Sequence, residues 1–133
     1  EKKIKLGDIS TRRDWGHSED YVKGIWLILQ YKNPEDFVLS TGKNFSIEDF
    51  IKKVFKILNL NWKDFVTINN KNFMRPSEVR SLQGDSSKAR KLLKWKPKYD
   101  LDTLCMDMLL NDLKLYGMSL EEAKKIAKKL SKK

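Results

Sequence analysis

The most constraining feature of this sequence is a stretch that predicts a helix with apolar residues on nearly every side. We expect the helix to begin at Ser18, because Glu19 and Asp20 would then place negative charge in its first turn. Apolar side chains follow on one face (Val22, Ile25, Trp26, Leu29) and on the other (Leu27, Ile28). Such a helix has to be covered by layers of other structure on both sides. A chain that contains it therefore needs a layered fold.

Short strands and helices alternate along the rest of the chain. Strands are predicted within residues 2–13, at 37–39 and at 65–68, and helices at 46–59, 85–94, 100–117 and 119–130. The strand at 37–39 has no polar alternation, which is typical of a strand buried on both faces, and such a strand needs neighbours on both sides. We therefore predict an α/β fold, mostly helical with a few short strands. Its sheet should be incomplete without partners that lie upstream.

The charge of +10 at pH 7 needs an explanation in terms of partners. The lysines are scattered along the chain and are densest in the tail, residues 124–133. Scattered lysine usually means solvated outer faces of helices, although nucleic acid, an anionic membrane surface or a small anionic ligand would also fit. The longest unbroken apolar run, Ile25 to Leu29, is far too short to span a bilayer, and no signal peptide is evident. With Cys105 as the single cysteine, we expect a reduced thiol and a cytoplasmic protein.

Several kinds of catalytic and cofactor site are excluded by spacing. The six glycines lie too far apart to form a phosphate loop or a dinucleotide-binding fingerprint. One histidine and one cysteine do not provide the ligands of a zinc site. His17, Ser18 and Asp20 are neighbours at one helix start, whereas a catalytic triad brings residues together from separate segments. No catalytic residue, cofactor-binding residue or metal ligand is therefore assigned.

Two arginines are the candidate ligands for a diphosphate. Arginine suits this task because its planar guanidinium donates paired hydrogen bonds and stays charged. Arg13 ends the first predicted strand, where Asp14 could orient it and Trp15 could form a wall of the site. Arg75 is predicted in a loop, and Glu78 could accept hydrogen bonds from the two hydroxyls of a ribose. The alternative is an exposed Arg75 and a Glu78 that caps a helix.

Five segments in a fixed order resemble a known enzyme family. They are RRDWGHSEDYV, DFVLSTG, SIEDFIKKVF, FMRPSEV and GDSSKARKLLKWKPK. Together they are similar to the C-terminal part of the GDP-mannose 4,6-dehydratases, a branch of the extended short-chain dehydrogenase/reductase family with a Rossmann-type fold. The resemblance implies that Arg13 and Arg75 hold the diphosphate of a sugar nucleotide and that Glu78 contacts its ribose. Asp14, Trp15 and His17 would shape the turn from strand to helix.

The resemblance also implies a reaction and a division of labour. Such enzymes convert GDP-mannose to GDP-4-dehydro-6-deoxy-mannose with NADP, on the route to GDP-fucose and other deoxyhexoses. Their catalytic residues and cofactor glycines lie in an N-terminal Rossmann part, with which this chain would pair. A fragment that holds only this part is expected to be inactive alone, and the family commonly forms dimers or tetramers.

The resemblance divides the chain into two regions. Residues 1–117 would form the nucleotide-sugar-binding portion, with residues 18–41 packed on the Rossmann sheet, and residues 118–133 a basic helical tail. One alternative is an epimerase or dehydratase of the same family that uses another nucleotide. A second is a basic module that binds nucleic acid or anionic membranes through the tail, although the leading hypothesis includes neither partner.

Overall fold

In the residues that the structure describes, the architecture consists of five helices and four very short strands. A computed structural model describes residues 3–68, 71–73 and 77–130. The helices are α1 (Ser18–Leu29), α2 (Ile47–Ile57), α3 (Ser87–Leu92), α4 (Leu101–Leu115) and α5 (Leu120–Leu130). The strands are β1 (Ile4–Lys5), β2 (Arg12–Arg13), β3 (Phe45–Ser46) and β4 (Val66–Thr67), and one-turn 3-10 helices span Trp62–Asp64 and Lys71–Phe73.

The helix boundaries follow from local capping chemistry. Ser46 and Asp49 form the predicted capping box at the start of α2, and Asn59 adopts the left-handed conformation (φ 56°) just beyond its end. Asp100 caps α4 by accepting a hydrogen bond from the backbone N–H of Thr103 at 2.9 Å, and Gly117 (φ 64°) follows that helix. These predictions are confirmed.

Two small β-ladders join segments that are distant in the sequence. β1 pairs in parallel with β4, so that Ile4 lies opposite Val66. β2 pairs antiparallel with β3, and on its other side Arg12 forms a bridge with Ser81. The segment around residue 81 is thereby held alongside β2. This arrangement decides which side chains can meet Arg13.

The apolar core consists of three clusters rather than one. The first surrounds Ile9, Ile51 and Val66, and the third surrounds Leu101, Leu104 and Cys105. In the second, Trp95 packs with Ala89 and Leu93 against one side of α1. Trp95 is only 2% exposed, and its indole N–H donates to the carbonyl of Asp20 at 2.8 Å. This cluster fixes α1 on the rest of the chain.

The buried strand predicted at residues 37–39 was expected to pair with strands upstream of this chain, so it stays a prediction. The segment belongs to no ladder within the described ranges, and Val38 is exposed. Phe37 and Leu39 instead pack against the Trp95 cluster, so one side of the segment is covered and the other is open. Strand formation depends on a partner for the backbone hydrogen bonds, and sequence pattern does not supply one.

One prediction about a helix boundary needs correction. The helix expected at residues 85–94 is shorter (Ser87–Leu92), because Lys94 adopts the left-handed conformation (φ 55°) that ends it before Trp95. Within this chain the helix α1 is covered on one side: Leu27 and Ile28 pack inward, while Val22, Ile25, Trp26 and Leu29 are exposed. The cover expected on its other side stays a prediction. None of the helices in the described ranges combines the length and the apolar character needed to cross a membrane.

Candidate functional site

The candidate site is a cleft that forms beside the end of β2. It has a volume of about 330 Å³ and is lined by ten residues: Leu6, Gly7, Asp8, Ile9, Thr11, Arg13, Trp15, Ile47, Phe73 and Glu78. Gly7 is needed here because a Cβ at this position would lie 2.5 Å from the carbonyl oxygen of Phe73. The close approach of these two backbones forms one side of the cleft.

Arg13 and Glu78 meet although 65 positions separate them in the sequence. The Nη2 group of Arg13 donates a hydrogen bond to the Glu78 carboxylate. Its Nη1 group donates to the carbonyl oxygens of Arg12 and Val79, both at 2.8 Å. Three of the five guanidinium N–H groups are therefore occupied, and the other two have no acceptor in the described part of the chain.

Both charged groups are only partly shielded from solvent. The side chains of Arg13 and Glu78 are 28% and 25% exposed, so a ligand in the cleft can reach them. The two backbone carbonyls fix the guanidinium by contacts that side-chain motion does not disturb. The remaining N–H groups can donate to an anion, which is the chemistry that binds phosphate oxygens.

Asp14 has the architectural role that the resemblance implies, and it does not orient Arg13. Its Oδ1 accepts hydrogen bonds from the backbone N–H and the hydroxyl of Thr41, at 2.8 and 2.6 Å. Its Oδ2 accepts from the backbone N–H groups of Gly42 and Gly84, at 2.9 and 3.3 Å. The prediction that Asp14 orients Arg13 is therefore wrong, because its carboxylate joins two remote loops to the end of β2.

The other motif residues are architectural. Trp15 lines the cleft as expected, and its indole N–H donates to the carbonyl of Phe45 at 3.1 Å. His17 caps α1 by accepting from the backbone N–H of Glu19 at 3.1 Å, and its other ring nitrogen contacts Asp107 at 3.0 Å. Asp20 is buried and accepts from the backbone N–H groups of Lys98 and Tyr99, at 2.9 and 3.0 Å.

The second predicted phosphate ligand is not described. Arg75 lies outside the described residues, so its convergence with Arg13 stays a prediction. The alternative role of Glu78 as a helix cap is wrong, since no described helix begins near it. Among the described residues, no group of three or more His, Cys, Asp or Glu could hold a metal ion.

The fold is that of the extended short-chain dehydrogenase/reductase enzymes. The UDP-glucose 4-epimerase of Bifidobacterium longum, solved with NAD+ and UDP, superposes with a TM-score of 0.66 at 24% identity, over 78% of this chain and 32% of that one. The dTDP-glucose 4,6-dehydratase of Bacillus anthracis, solved with NAD, also gives 0.66, at 17% identity over 80% and 33%. At these identities the likeness concerns the fold.

Sequence comparison defines the family within that class. The model of the GDP-mannose 4,6 dehydratase family matches residues 1–108. GDP-mannose 4,6 dehydratase 2 of Arabidopsis thaliana is 44% identical over 113 residues, which are 85% of this chain and 30% of that protein. The chain belongs to the GDP-mannose 4,6-dehydratase family. It spans about a third of the length of the curated relatives it matches.

Proposed function

We propose that this chain is the substrate-binding portion of an enzyme that converts GDP-mannose to GDP-4-dehydro-6-deoxy-mannose. Family membership supports the proposed reaction. The observation that supports the proposed site is the Arg13 guanidinium, which a backbone carbonyl holds in place. Backbone carbonyls hold this guanidinium in a cleft, and two of its N–H groups have no acceptor among the described residues. A permanent cation held in this way is suited to the diphosphate of a sugar nucleotide.

Glu78 and Arg75 complete the proposed substrate contacts. Glu78 accepts a hydrogen bond from Arg13 and lines the same cleft, so its carboxylate is near enough to accept from ribose hydroxyls beside the diphosphate. Arg75 is close in sequence to Glu78 and would add a second cation to the same ligand. Such binding lowers the reaction barrier by positioning the sugar, while proton transfers are left to other residues.

The proposed cofactor is NADP, which would accept a hydride from the sugar and return it. The described residues do not fit this group, since none of them forms a glycine-rich turn between a strand and a helix. We therefore place the cofactor and the catalytic residues on an N-terminal Rossmann part of the protein. No catalytic step is assigned to this chain, and the chain alone should be inactive.

The exposed face of α1 is the proposed docking surface for that Rossmann part. Trp26 and Leu29 are 59% and 75% exposed, and Val38 lies in the uncovered segment beside the helix. Residues 18–41 would thus pack on the sheet of the Rossmann part, within a substrate-binding portion of residues 1–117. Residues 118–133 would form a basic tail, whose helix α5 (Leu120–Leu130) packs against the rest of the chain. A cytoplasmic homodimer or homotetramer is the proposed assembly.

Calorimetric titration of the full-length protein with GDP-mannose tests the site. The variants Arg13→Ala and Arg75→Ala should each weaken binding by about 2 kcal/mol or more, the range expected for a charged hydrogen bond. Arg80→Ala is the matched control, because it removes the same charge near the cleft from a residue that does not line it. Affinity that is unchanged in both test variants would refute the assignment.

A further inference from the structure

A second cleft lies between α2, α4 and α5 and has no part in the proposed function. It has a volume of about 510 Å³ and shares no lining residue with the Arg13 cleft. Lys52, Lys53 and Lys56 line it from α2, and Lys124 lines it from α5. Asp102 is the one carboxylate on its lining. Four cations therefore face one anion.

The helix α5 brings the fourth lysine to this cleft by burying two small residues. Ala123 and Ala127 are 7% and 3% exposed, so α5 lies close against the rest of the chain. Lys124 follows Ala123 directly and lies at the edge of the cleft. The match to the family model ends at residue 108, before α5 begins. This wall of the cleft is thus a feature that the family match does not account for.

The charges in the cleft are only partly neutralised. Lys53 pairs with Asp102, and Lys52 pairs with Glu48 at 2.8 Å. Lys56 and Lys124 contact no carboxylate within residues 3–68, 71–73 and 77–130. Two cations that line one cleft, with no carboxylate partner in the described residues, create a positive potential that attracts an anion.

A third cleft, of about 310 Å³, continues from the second one. It shares Lys53 and Asp102 with it. To the lining it adds four cations (Lys43, Arg90, Lys96 and Lys98) and one carboxylate, Asp100. The two clefts together form a concave basic tract that passes through Lys53. A narrow, unbranched chain of anionic groups fits such a tract better than a flat membrane surface does. Lysine ammonium groups bind phosphate oxygens as compact point charges.

We propose that this tract binds a linear oligophosphate, with the cleft between α2, α4 and α5 as its main site. Lys56 and Lys124 contact the phosphates there, and Lys53 exchanges Asp102 for the ligand. The main site shares no lining residue with the Arg13 cleft, whereas the third cleft shares Trp15 with it. Inorganic tripolyphosphate is the simplest molecule with the required chemistry.

Isothermal titration of the full-length protein with tripolyphosphate at low salt tests the proposal. The double variant Lys56→Gln/Lys124→Gln should weaken binding about tenfold, since each exposed cation contributes modestly. Lys125→Gln/Lys129→Gln is the matched control, because it removes the same charge from α5 at positions that do not line the cleft. That control should change the affinity by less than about twofold.

Asp102→Asn should have the opposite effect. It removes the carboxylate that competes for Lys53, so tripolyphosphate should bind about threefold more tightly. Saturation of the Arg13 cleft with GDP, which occupies the proposed diphosphate site, should leave tripolyphosphate binding to the basic tract unchanged. The two proposals can therefore fail separately.

Three results would overturn the oligophosphate site. They are an equal loss of affinity in the two double lysine variants, a loss of tripolyphosphate binding when GDP saturates the Arg13 cleft, and no binding by the unsubstituted protein at low salt. Orthophosphate that binds as tightly as tripolyphosphate would also contradict a site for a linear chain.

Discussion

The Arg13 cleft and the outer face of α1 differ in how many of their contacts this chain provides. At the cleft, Arg13 and Asp14 have their hydrogen-bond partners within the chain itself. On α1, Trp26 and its neighbours present large apolar side chains to solvent. A contiguous apolar face of this kind usually marks a surface that another part of a protein covers. The polar contacts of the proposed binding site are thus formed within this chain, whereas the apolar face of α1 depends on a partner to cover it.

The largest effect on the free energy of unfolding is expected for Trp95, which is buried within this chain. Trp95→Ala removes a buried ring and the hydrogen bond to the carbonyl of Asp20, which holds the start of α1. We expect the free energy of unfolding of the full-length protein to fall by about 3–5 kcal/mol, measured by urea denaturation. A loss below about 1 kcal/mol would show that this cluster does not anchor α1.

Trp26 tests the uncovered face directly. If the Rossmann part covers α1, Trp26→Ala in the full-length protein should lower the free energy of unfolding by about 3 kcal/mol. If Trp26 remains 59% exposed as it is here, the loss should be within about 0.5 kcal/mol. Lys23→Ala on the same helix is a control that changes a polar surface position.

Asp14 tests the polar contacts that this chain forms beside Arg13. Asp14→Asn keeps the shape but points an amide NH2 at a backbone N–H, so at least one of the four hydrogen bonds is lost. The free energy of unfolding should fall by about 1–3 kcal/mol. Unchanged stability would mean that the loops at Thr41 and Gly84 are held in place by other contacts.

Cys105 gives the smallest effect, and it depends on pH. Burial raises the pKa of its thiol to about 11. The unfolded chain ionises this thiol at lower pH than the folded one, so the thiol should reduce stability progressively as pH rises from about 9 to about 11. Cys105→Ala should lose less stability than the unsubstituted protein over that window. A thiol-specific reagent should also react slowly with the folded protein at pH 8, and rapid reaction would contradict the burial.

Local chemistry explains which parts of the fold were predictable. The caps at Ser46 and Asp100 depend on residues three positions away, and the sequence pattern contains that information. A strand at residues 37–39 stays a prediction, because its ladder needs partner strands that periodicity does not identify. In the described residues, Phe37 and Leu39 pack against the Trp95 cluster.

The same distinction applies to the candidate site. Arg13 and Glu78 were identifiable by residue type and by resemblance, but their hydrogen bond joins segments that only the folded chain brings together. The resemblance implies an architectural role for Asp14, but the sequence does not identify its hydrogen-bond partners, because they lie 27 to 70 positions away. The cleft between α2, α4 and α5 was not predicted, because its lysines come from two separate helices and resemble ordinary surface charge in the sequence.

The most direct test of the proposed function is a crystal structure of the full-length protein with GDP-mannose bound. We predict that at least one guanidinium nitrogen of Arg13 lies about 2.7–3.0 Å from a diphosphate oxygen, with Glu78 still beside it. A diphosphate bound elsewhere, with the Arg13 guanidinium making no contact to the nucleotide, would contradict the account.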